Sequence, residues 1–366
     1  MTASTTIAVL ESFPGPRPTT NPYLVQLLAE LPADVRASTF TWGRALRGRY
    51  DVFHVHWPEK LLRGSSRSRT LARRAATAAL ILRLRLRRTA VVRTLHNATP
   101  HEAGGRVERV LLRWMDRRTT LFVRLNPTTP LPVDAAPGTP VVTIAHAHYR
   151  DWFARHPRGA AVPGRVLFFG LVRPYKGVEE LLAAFHDLAD EGVSLRVVGH
   201  PEDAALGRSV AEQAAADARI GVRLEYVDDE TLAAEISAAQ LVVLPYRHLH
   251  NSGAALLALS LDRPVLVPAG TTATELAAEV GSPWVPAFSG VIDAADLAAA
   301  LATTVPGNLP GDLPGNPPGD LPADLPGRPD LSARDWAVVA PAHAAAFRTA
   351  LACLRTNPPD PTRGDR

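Results

Sequence analysis

The sequence predicts an α/β protein built as two Rossmann-like domains with parallel sheets facing a cleft. Three observations carry that expectation. Short apolar runs alternate with longer amphipathic stretches along both halves of the chain, the pattern of parallel strands joined by right-handed crossover units. At 366 residues, 46% hydrophobic and 21% charged, the chain is long enough to bury two cores rather than one. A Gly- and Pro-containing stretch, RHPRGAAVPG at 155–164, separates the two sets of strands.

In the first half the expected strands are TIAVLE (6–11), DVFHVHW (51–57), AVVRTLHN (90–97), LFVRLN (121–126) and PVVTIAH (140–146). The second half supplies RVLFFG (165–170), SLRVVG (194–199), VRLEYV (222–227), LVVLPY (241–246) and PVLVP (264–268), separated by Ala- and Leu-rich helices. These set an N-terminal Rossmann-like domain at 1–160 and a C-terminal Rossmann-like domain at 161–304. Residues 305–331 place Pro at 306, 310, 314, 318, 322 and 326, a spacing that denies them a helix or a central strand and predicts a flexible segment. Helical character returns in SARDWAVVAPAHAAAFRTALACLR (332–355), interrupted at Pro341, so 332–366 reads as a terminal helix and tail that packs back across the lobes.

Composition narrows the function classes. MTASTTIAVLES lacks a basic leader, and Arg breaks every apolar run before membrane-spanning length, so the expectation is a cytoplasmic chain that does not span. A single cysteine, Cys353, excludes an internal disulfide framework and a Cys-based metal cluster. A formal charge of +4 is modest, and no basic run carries the interleaved aromatics of a nucleic-acid surface, so nucleic acid is not expected as a partner. The stretch 61–88 is richer in information. Leu71, Ala75, Ala78, Leu82 and Leu86 share one helical face, flanked by Arg73, Arg83, Arg87 and Arg88. Two readings stay open: a helix lying on an anionic lipid surface, which would place the protein peripherally at the inner membrane, or a crossover helix covering a sheet with a solvated Arg face.

The chemistry begins at FFGLVRPYKGVEELLAAF (168–185), a strand, a turn and a helix, in a chain with only two lysines, Lys60 and Lys176. A turn after a parallel strand lies at the sheet's carboxyl edge, where open α/β folds bind ligands. Arg173 offers a planar fork of donors, Lys176 a mobile point charge, Gly177 close backbone approach, and the helix start a partial positive charge. That combination suits a diphosphate, unless Arg173 and Lys176 merely pair with Glu179 and Glu180. A second cradle is expected in LVVLPYRHLHNSGAALLALSLDRPVLVP (241–268), where Asn251, Ser252 and Gly253 open a helix.

These residues carry a resemblance. Gly170, Arg173, Pro174, Tyr175, Lys176 and Gly177 resemble the G-x-x-R-P-Y-K-G turn of GT-B glycosyltransferases of the GT4-like group. VVGHPED (197–203) resembles that family's second strand and Gly turn, and LVVLPY with SGAALLALSLDRPVL resembles its donor-binding helix. The similarity covers most of 165–300. It implies a nucleoside-diphosphate sugar as co-substrate, held at the diphosphate by Arg173, Lys176, Ser252 and Gly253. It implies nucleotide and sugar contacts at Gly170, Gly199, His200, Tyr246 and Asn251. Many members place two Glu eight positions apart on the donor-holding loop and helix; aligned through Arg263 and Pro264, Leu249 and Leu257 stand there instead. A catalytically silent GT-B protein that binds a nucleotide sugar or partners an enzyme is therefore the alternative. A nucleotide-sugar epimerase is a third reading, disfavoured for want of paired acid and base carboxylates.

The acceptor side is expected in the first half, where His54, His56, Trp57, Glu59 and His148 follow or end strands. The histidine pairs 54/56, 96/101 and 146/148 converge at one sheet edge. His96 resembles a histidine that GT4-like enzymes keep beside the donor sugar, which makes it the leading catalytic candidate. His101, Glu102 and Glu59 remain candidates for the base that an inverting reaction requires. Zinc is disfavoured, because no Cys accompanies the histidines and their spacing follows strand ends. The chain contains no D-x-D pair, so no metal and no resident cofactor is expected. The expected activity is metal-independent transfer to a hydroxyl of a glycolipid, a polysaccharide or other glycan, or a small metabolite.

Overall fold

The buried apolar runs form two separate six-stranded sheets, and every strand pairing within them is parallel. The computed structural model describes residues 6–17, 19–96, 105–247, 249, 251–304 and 328–356. The first sheet comprises β1 (Ile7–Glu11), β2 (Val35–Ser38), β3 (Val52–Val55), β4 (Ala90–Leu95), β5 (Leu121–Arg124) and β6 (Val141–Thr143). The second comprises β7 (Arg165–Phe169), β8 (Ser194–Val198), β9 (Ile220–Arg223), β10 (Leu241–Val243), β11 (Val265–Pro268) and β12 (Ala287–Phe288). The chain divides into two units, Met1–Ala147 with Arg334–Arg366, and His148–Ala333.

Central strands are buried on both faces, which is why VFHV, RVLFF and VLVP read as near-continuous apolar runs. In the first unit Phe53, Val55, Leu80, Leu84, Val91 and Met115 are almost fully buried in one cluster, each large side chain contributing about 1.5–3 kcal/mol. The helix Trp336–Thr356 turns its buried residues, among them Trp336, Val339, Ala344 and Phe347, onto β4, β5 and the helix Pro22–Glu30. By length and composition it could cross a membrane, but that packed face makes it a core helix of the first unit, with Pro341 inside it.

Strand order decides where ligands can sit. The first sheet runs β2-β1-β3-β4-β5-β6 and the second β12-β11-β10-β7-β8-β9. In each, the chain starts at an inner strand, builds to one side and then returns to the other, leaving a crevice at the carboxyl ends of β1 and β3 and of β7 and β10.

The sequence misses β2 and β12, both sheet edges; VRAS is polar and β12 has only two residues. The third strand of the second half is also displaced, running 220–223 rather than 222–227, because it is an edge whose continuation turns outward to the exposed Tyr226. Of the expected flexible segment, 305–327 lies outside the described residues. Arg328 after it is anchored: its Nε and Nη2 donate to Asp262 Oδ1 and Oδ2 at 3.0 and 2.7 Å. Arg150 and Arg158 reach the same fully buried carboxylate at 3.4 and 3.5 Å. Asp262 itself sits at φ 57, a left-handed conformation that Asn also tolerates. Asp262→Asn therefore keeps the backbone while leaving three guanidinium groups uncompensated. We expect it to destabilise the second unit by about 3–5 kcal/mol, read as a lowered urea midpoint; an unchanged midpoint would show that solvent already neutralises the cluster.

Candidate active site

In the second unit, β7 is followed by Gly170 and the chain passes through a tight turn, Pro174–Lys176, into the helix Val178–His186. Gly177 joins turn to helix at φ 68, and a Cβ there would collide with the Pro245 carbonyl oxygen. Gly199, at the end of β8, is pressed equally hard against the backbone of Gly170. These glycines draw the ends of β7, β8 and β10 together. Lys176 Nζ then lies 5.2 Å from the centre of the buried Tyr246 ring, and the Tyr246 hydroxyl bonds with the Ser252 side chain. Ser252 caps the helix Gly253–Ser260 by accepting from the Ala255 N–H at 3.1 Å, with Asn251 just before it. His200 is exposed beyond β8.

The acidic residues of the adjoining helix do not neutralise this turn. Glu179 accepts from Ser209 Oγ at 2.6 Å, Glu180 faces Arg247 at 3.6 Å, and Arg173 reaches Glu202 at 3.7 Å. Among the described residues Lys176 has no carboxylate partner. Burial first, then the neighbouring Arg173, pushes its ammonium down to about 8. A half-buried cation with no carboxylate partner among the described residues, at a topological switch point, offers positive potential to an anion.

The first unit carries the complementary feature. Glu11 ends β1 and is in register with His54 on β3; His54 and His56 project from the same face of that strand, two residues apart. Glu11 is fully buried and takes His54 Nδ1 at 3.1 Å and His56 Nε2 at 3.2 Å. His54 Nε2 meets Thr94 Oγ1 at 2.8 Å, and His56 Nδ1 meets His96 Nε2 at 2.8 Å. Trp57 stacks on His96 at 4.1 Å and 22°, and Lys60 Nζ lies 4.3 Å over Trp57. Tyr23 packs on His146 at 4.3 Å and bonds His343 Nε2 at 3.2 Å.

The structure thus brings His54, His56, Trp57 and His96 together. Glu59 heads the short helix Glu59–Leu62 beside them and acts electrostatically on Lys60 and Arg93. His148 falls in the second unit, its Nδ1 accepting from the Arg150 N–H at 3.3 Å. His101 and Glu102 lie outside the described residues. Sequence reasoning missed Glu11, Thr94, Tyr23 and His343 as members of this cluster. Only Glu11 left a signal, an acid closing an otherwise apolar strand. The ligand atoms of Glu11, His54 and His56 lie within 4.8 Å of one another and could surround a metal ion. Hydrogen bonds of 3.1 and 3.2 Å join Glu11 to the two histidines.

Burial would raise the Glu11 carboxyl, but the charge and hydrogen bonds of His54 and His56 hold it down to about 2. Burial, then His54, pushes His56 down to about 4, and burial does the same to His146. His96 and His343 are lowered by burial and by neighbouring histidines. An unfolded histidine titrates near ~6.5, so below that pH the unfolded chain binds the additional protons. Stability is then full above pH ~6.5 and falls as pH drops towards the folded values near 4, His56 and His146 each accounting for on the order of 3 kcal/mol. Thermal unfolding followed from pH 7 to 4 should show that decline; a flat profile would mean the imidazoles are not held neutral.

Residues 163–305 match the glycosyl transferases group 1 family. A GDP-mannose:glycolipid 4-beta-D-mannosyltransferase from Xanthomonas campestris pv. campestris is 47% identical over 352 residues, 96% of this chain and 94% of the relative. A second protein of that description and species is 46% identical with the same coverage. Among solved structures, Anabaena HepE in complex with UDP aligns over 94% of this chain and 100% of its own, at TM-score 0.60 and 13% identity. Sucrose-phosphate synthase from Thermosynechococcus elongatus covers 94% of this chain and 99% of its own, at TM-score 0.58 and 16% identity. The lysine turn, the doubled parallel sheets and this full-length relationship agree: the chain belongs to the group 1 glycosyltransferases and has the GT-B fold.

Proposed function

We propose that this glycosyltransferase moves mannose from GDP-mannose to a hydroxyl of a membrane glycolipid, without a metal ion. The observation that carries the donor side is Lys176, the half-buried ammonium with no carboxylate partner among the described residues. Breaking the bond between the anomeric carbon and the diphosphate builds negative charge on the leaving group. Lys176, Arg173 and the backbone amides at Ser252 and Gly253 supply fixed positive potential there. The choice of GDP-mannose and of a glycolipid comes from the Xanthomonas relative, whose activity those words describe. His96, at the end of β4 beside Trp57, is the catalytic residue of this reading.

An outward apolar stripe supports the lipid-linked acceptor. Helix Arg67–Leu86 packs Thr77, Leu80, Ile81 and Leu84 inward, while Leu71, Leu82 and Leu86 are 71%, 56% and 73% exposed. The stripe expected from the sequence therefore faces solvent, and a different face covers the core. The neighbouring helix Arg106–Arg118 exposes Val107, Val110 and Trp114. Arginines at 67, 69, 73, 74, 83 and 85 accompany the first stripe with no acidic residue in that helix. Apolar side chains rimmed by arginine suit an anionic bilayer, to which each basic residue near the surface adds about 1 kcal/mol. We place the protein at that surface, peripheral to the membrane.

Two tests follow from the two observations. Incubation with radiolabelled GDP-mannose and a bacterial lipid extract, in excess EDTA, should move label into the organic phase, and UDP- and dTDP-sugars should not. In the same assay Lys176→Ala should lose about 30- to 1000-fold in rate, the equivalent of 2–4 kcal/mol of transition-state stabilisation. Turnover equal to wild type would remove Lys176 from the site, and loss of activity in EDTA restored by Mg²⁺ would refute the metal-independent reading. For the surface, Leu82→Glu with Trp114→Glu should weaken sedimentation with phosphatidylglycerol vesicles at least ~10-fold while leaving GDP affinity intact. Undiminished sedimentation would assign the stripe another role.

A further inference from the structure

One end of the basic helix Arg67–Leu86 opens on a groove that lies wholly within the first unit. The loop Gly64–Ser66 folds back over the first turns of the helix, where the Gly64 N–H donates to Thr70 Oγ1 at 3.1 Å. A Cβ on Gly64 would lie 2.8 Å from the backbone of Arg69 and Thr70, so only glycine lets the loop come this close. The space beside it, about 640 Å³ and open to solvent, is lined by Ser65, Arg67, Thr70, Leu71 and Arg74. The neighbouring arginines are engaged elsewhere. Arg73 Nη1 donates to the carbonyls of Lys60 and Arg63 at 3.1 and 2.6 Å, Arg69 Nη1 to Ser65 Oγ at 2.8 Å, and Arg63 Nε and Nη2 to Glu108 Oε1 at 3.1 and 2.8 Å. The two arginines of the groove differ. Arg67 is exposed and has no hydrogen-bond or carboxylate partner among the described residues. Arg74 stands 3.6 Å from Glu108 Oε2, beyond hydrogen-bond length, and its Nε is out of solvent without a hydrogen-bond partner. The helix's own cap is already made, since Ser66 Oγ accepts from the Arg69 N–H at 3.2 Å; what the groove offers is guanidinium.

We infer that this groove seats the phosphate of an anionic membrane lipid, with Arg67 and Arg74 donating to its oxygens and the acyl chains lying along the exposed leucines of the same helix. The inference rests on the reading that the protein works at an anionic bilayer. Each guanidinium presents a planar fork of N–H donors that matches phosphate oxygens. The wall of the groove makes the occupant a lipid rather than a soluble phosphate. Leu71, 71% exposed, stands between Arg67 and Arg74, and Leu82 and Leu86 continue that side of the helix for about 22 Å. A soluble anion would leave the stripe in water; a lipid covers it. A helix lying in the interface sinks its apolar face about 5–10 Å, which brings arginines at its margin level with the phosphates. Diffuse attraction is shared by every basic residue near a bilayer. The groove adds one defined position, so the helix is anchored by a particular end.

The test compares the groove with an equal loss of charge at the other end of the helix. Arg67→Gln with Arg74→Gln removes two charges from the groove; Arg85→Gln with Arg87→Gln removes two exposed charges from the far end. Dihexanoyl phosphatidylglycerol, titrated by calorimetry below its micelle concentration, should saturate one site on the wild type. It should bind at least ~10-fold more weakly to the groove variant and within ~3-fold of wild type to the far-end variant. Inorganic phosphate should bind at least ~10-fold more weakly than the lipid. Arg67→Gln alone removes no internal bond and should cost at least ~3-fold, which covers the case in which the double variant does not fold. Equal weakening in the two double variants would reduce the contact to diffuse charge and overturn the groove. Phosphate binding as tightly as the lipid would overturn the lipid as its occupant. Sedimentation of the wild type with phosphatidylglycerol vesicles, without saturable binding of the short-chain lipid, overturns the inference and leaves the membrane reading standing. A wild type that does not sediment removes that reading and the inference with it.

Discussion

A carboxylate taken completely out of water must find donors, and the first unit is organised around that requirement. Glu11 has no access to solvent, and its negative charge would cost several kcal/mol if left alone. The parallel register that sets Glu11 against His54 supplies one N–H, and the two-residue period of the strand supplies another from His56. Once both imidazoles donate to Glu11, their remaining nitrogens must be matched in turn, which draws in Thr94 and His96. The cluster is thus a chain of obligations that begins at one acid. Its members gather where β1 and β3 part, the crevice that this strand order leaves open.

The second unit meets the same topology with the opposite sign. Its crevice lies between β7 and β10, and what stands there is an ammonium with no carboxylate partner among the described residues. Glu179 and Glu180 are close in sequence, yet their partners are Ser209, Gln213 and Arg247. One unit has satisfied its buried anion internally; the other keeps a cation unmatched among the described residues. The first arrangement is rigid, because its buried groups are hydrogen-bonded to one another before any substrate arrives. The second suits a ligand that brings its own negative charge, since binding then relieves a cost already present in the protein.

Much of this was legible in the residues. Strands buried on both faces announce themselves as unbroken apolar runs, so the inner strands of both sheets could be placed from sequence. Edge strands carry no such signal: VRAS and AF are too short or too polar, and β9 drifts because only part of it is covered. The lysine turn was visible because lysine is scarce in this chain and follows a strand and precedes a helix. The histidine cluster was visible only in pieces. His54, His56 and His96 could be grouped at strand ends, but Glu11 looks like an ordinary polar terminus until the register puts it beside His54. Tyr23 and His343 are some 320 residues apart, and no local pattern joins them.

Leu249 and Leu257 show how far a departure from a family pattern can be followed physically. Leu257 sits on the helix Gly253–Ser260, where every residue from Ala255 to Ser260 is buried. A carboxylate at that position would need a donor for each oxygen in an apolar setting, at a cost that hydrogen bonds offset only when the partners are in place. Leucine removes that demand and adds to the packing of the helix against β11. In our reading the donor is met in this unit by cations and backbone amides, with nothing negative on that helix to repel its diphosphate. Any hydrogen bonds that a glutamate would have offered to the sugar hydroxyls must come from other groups.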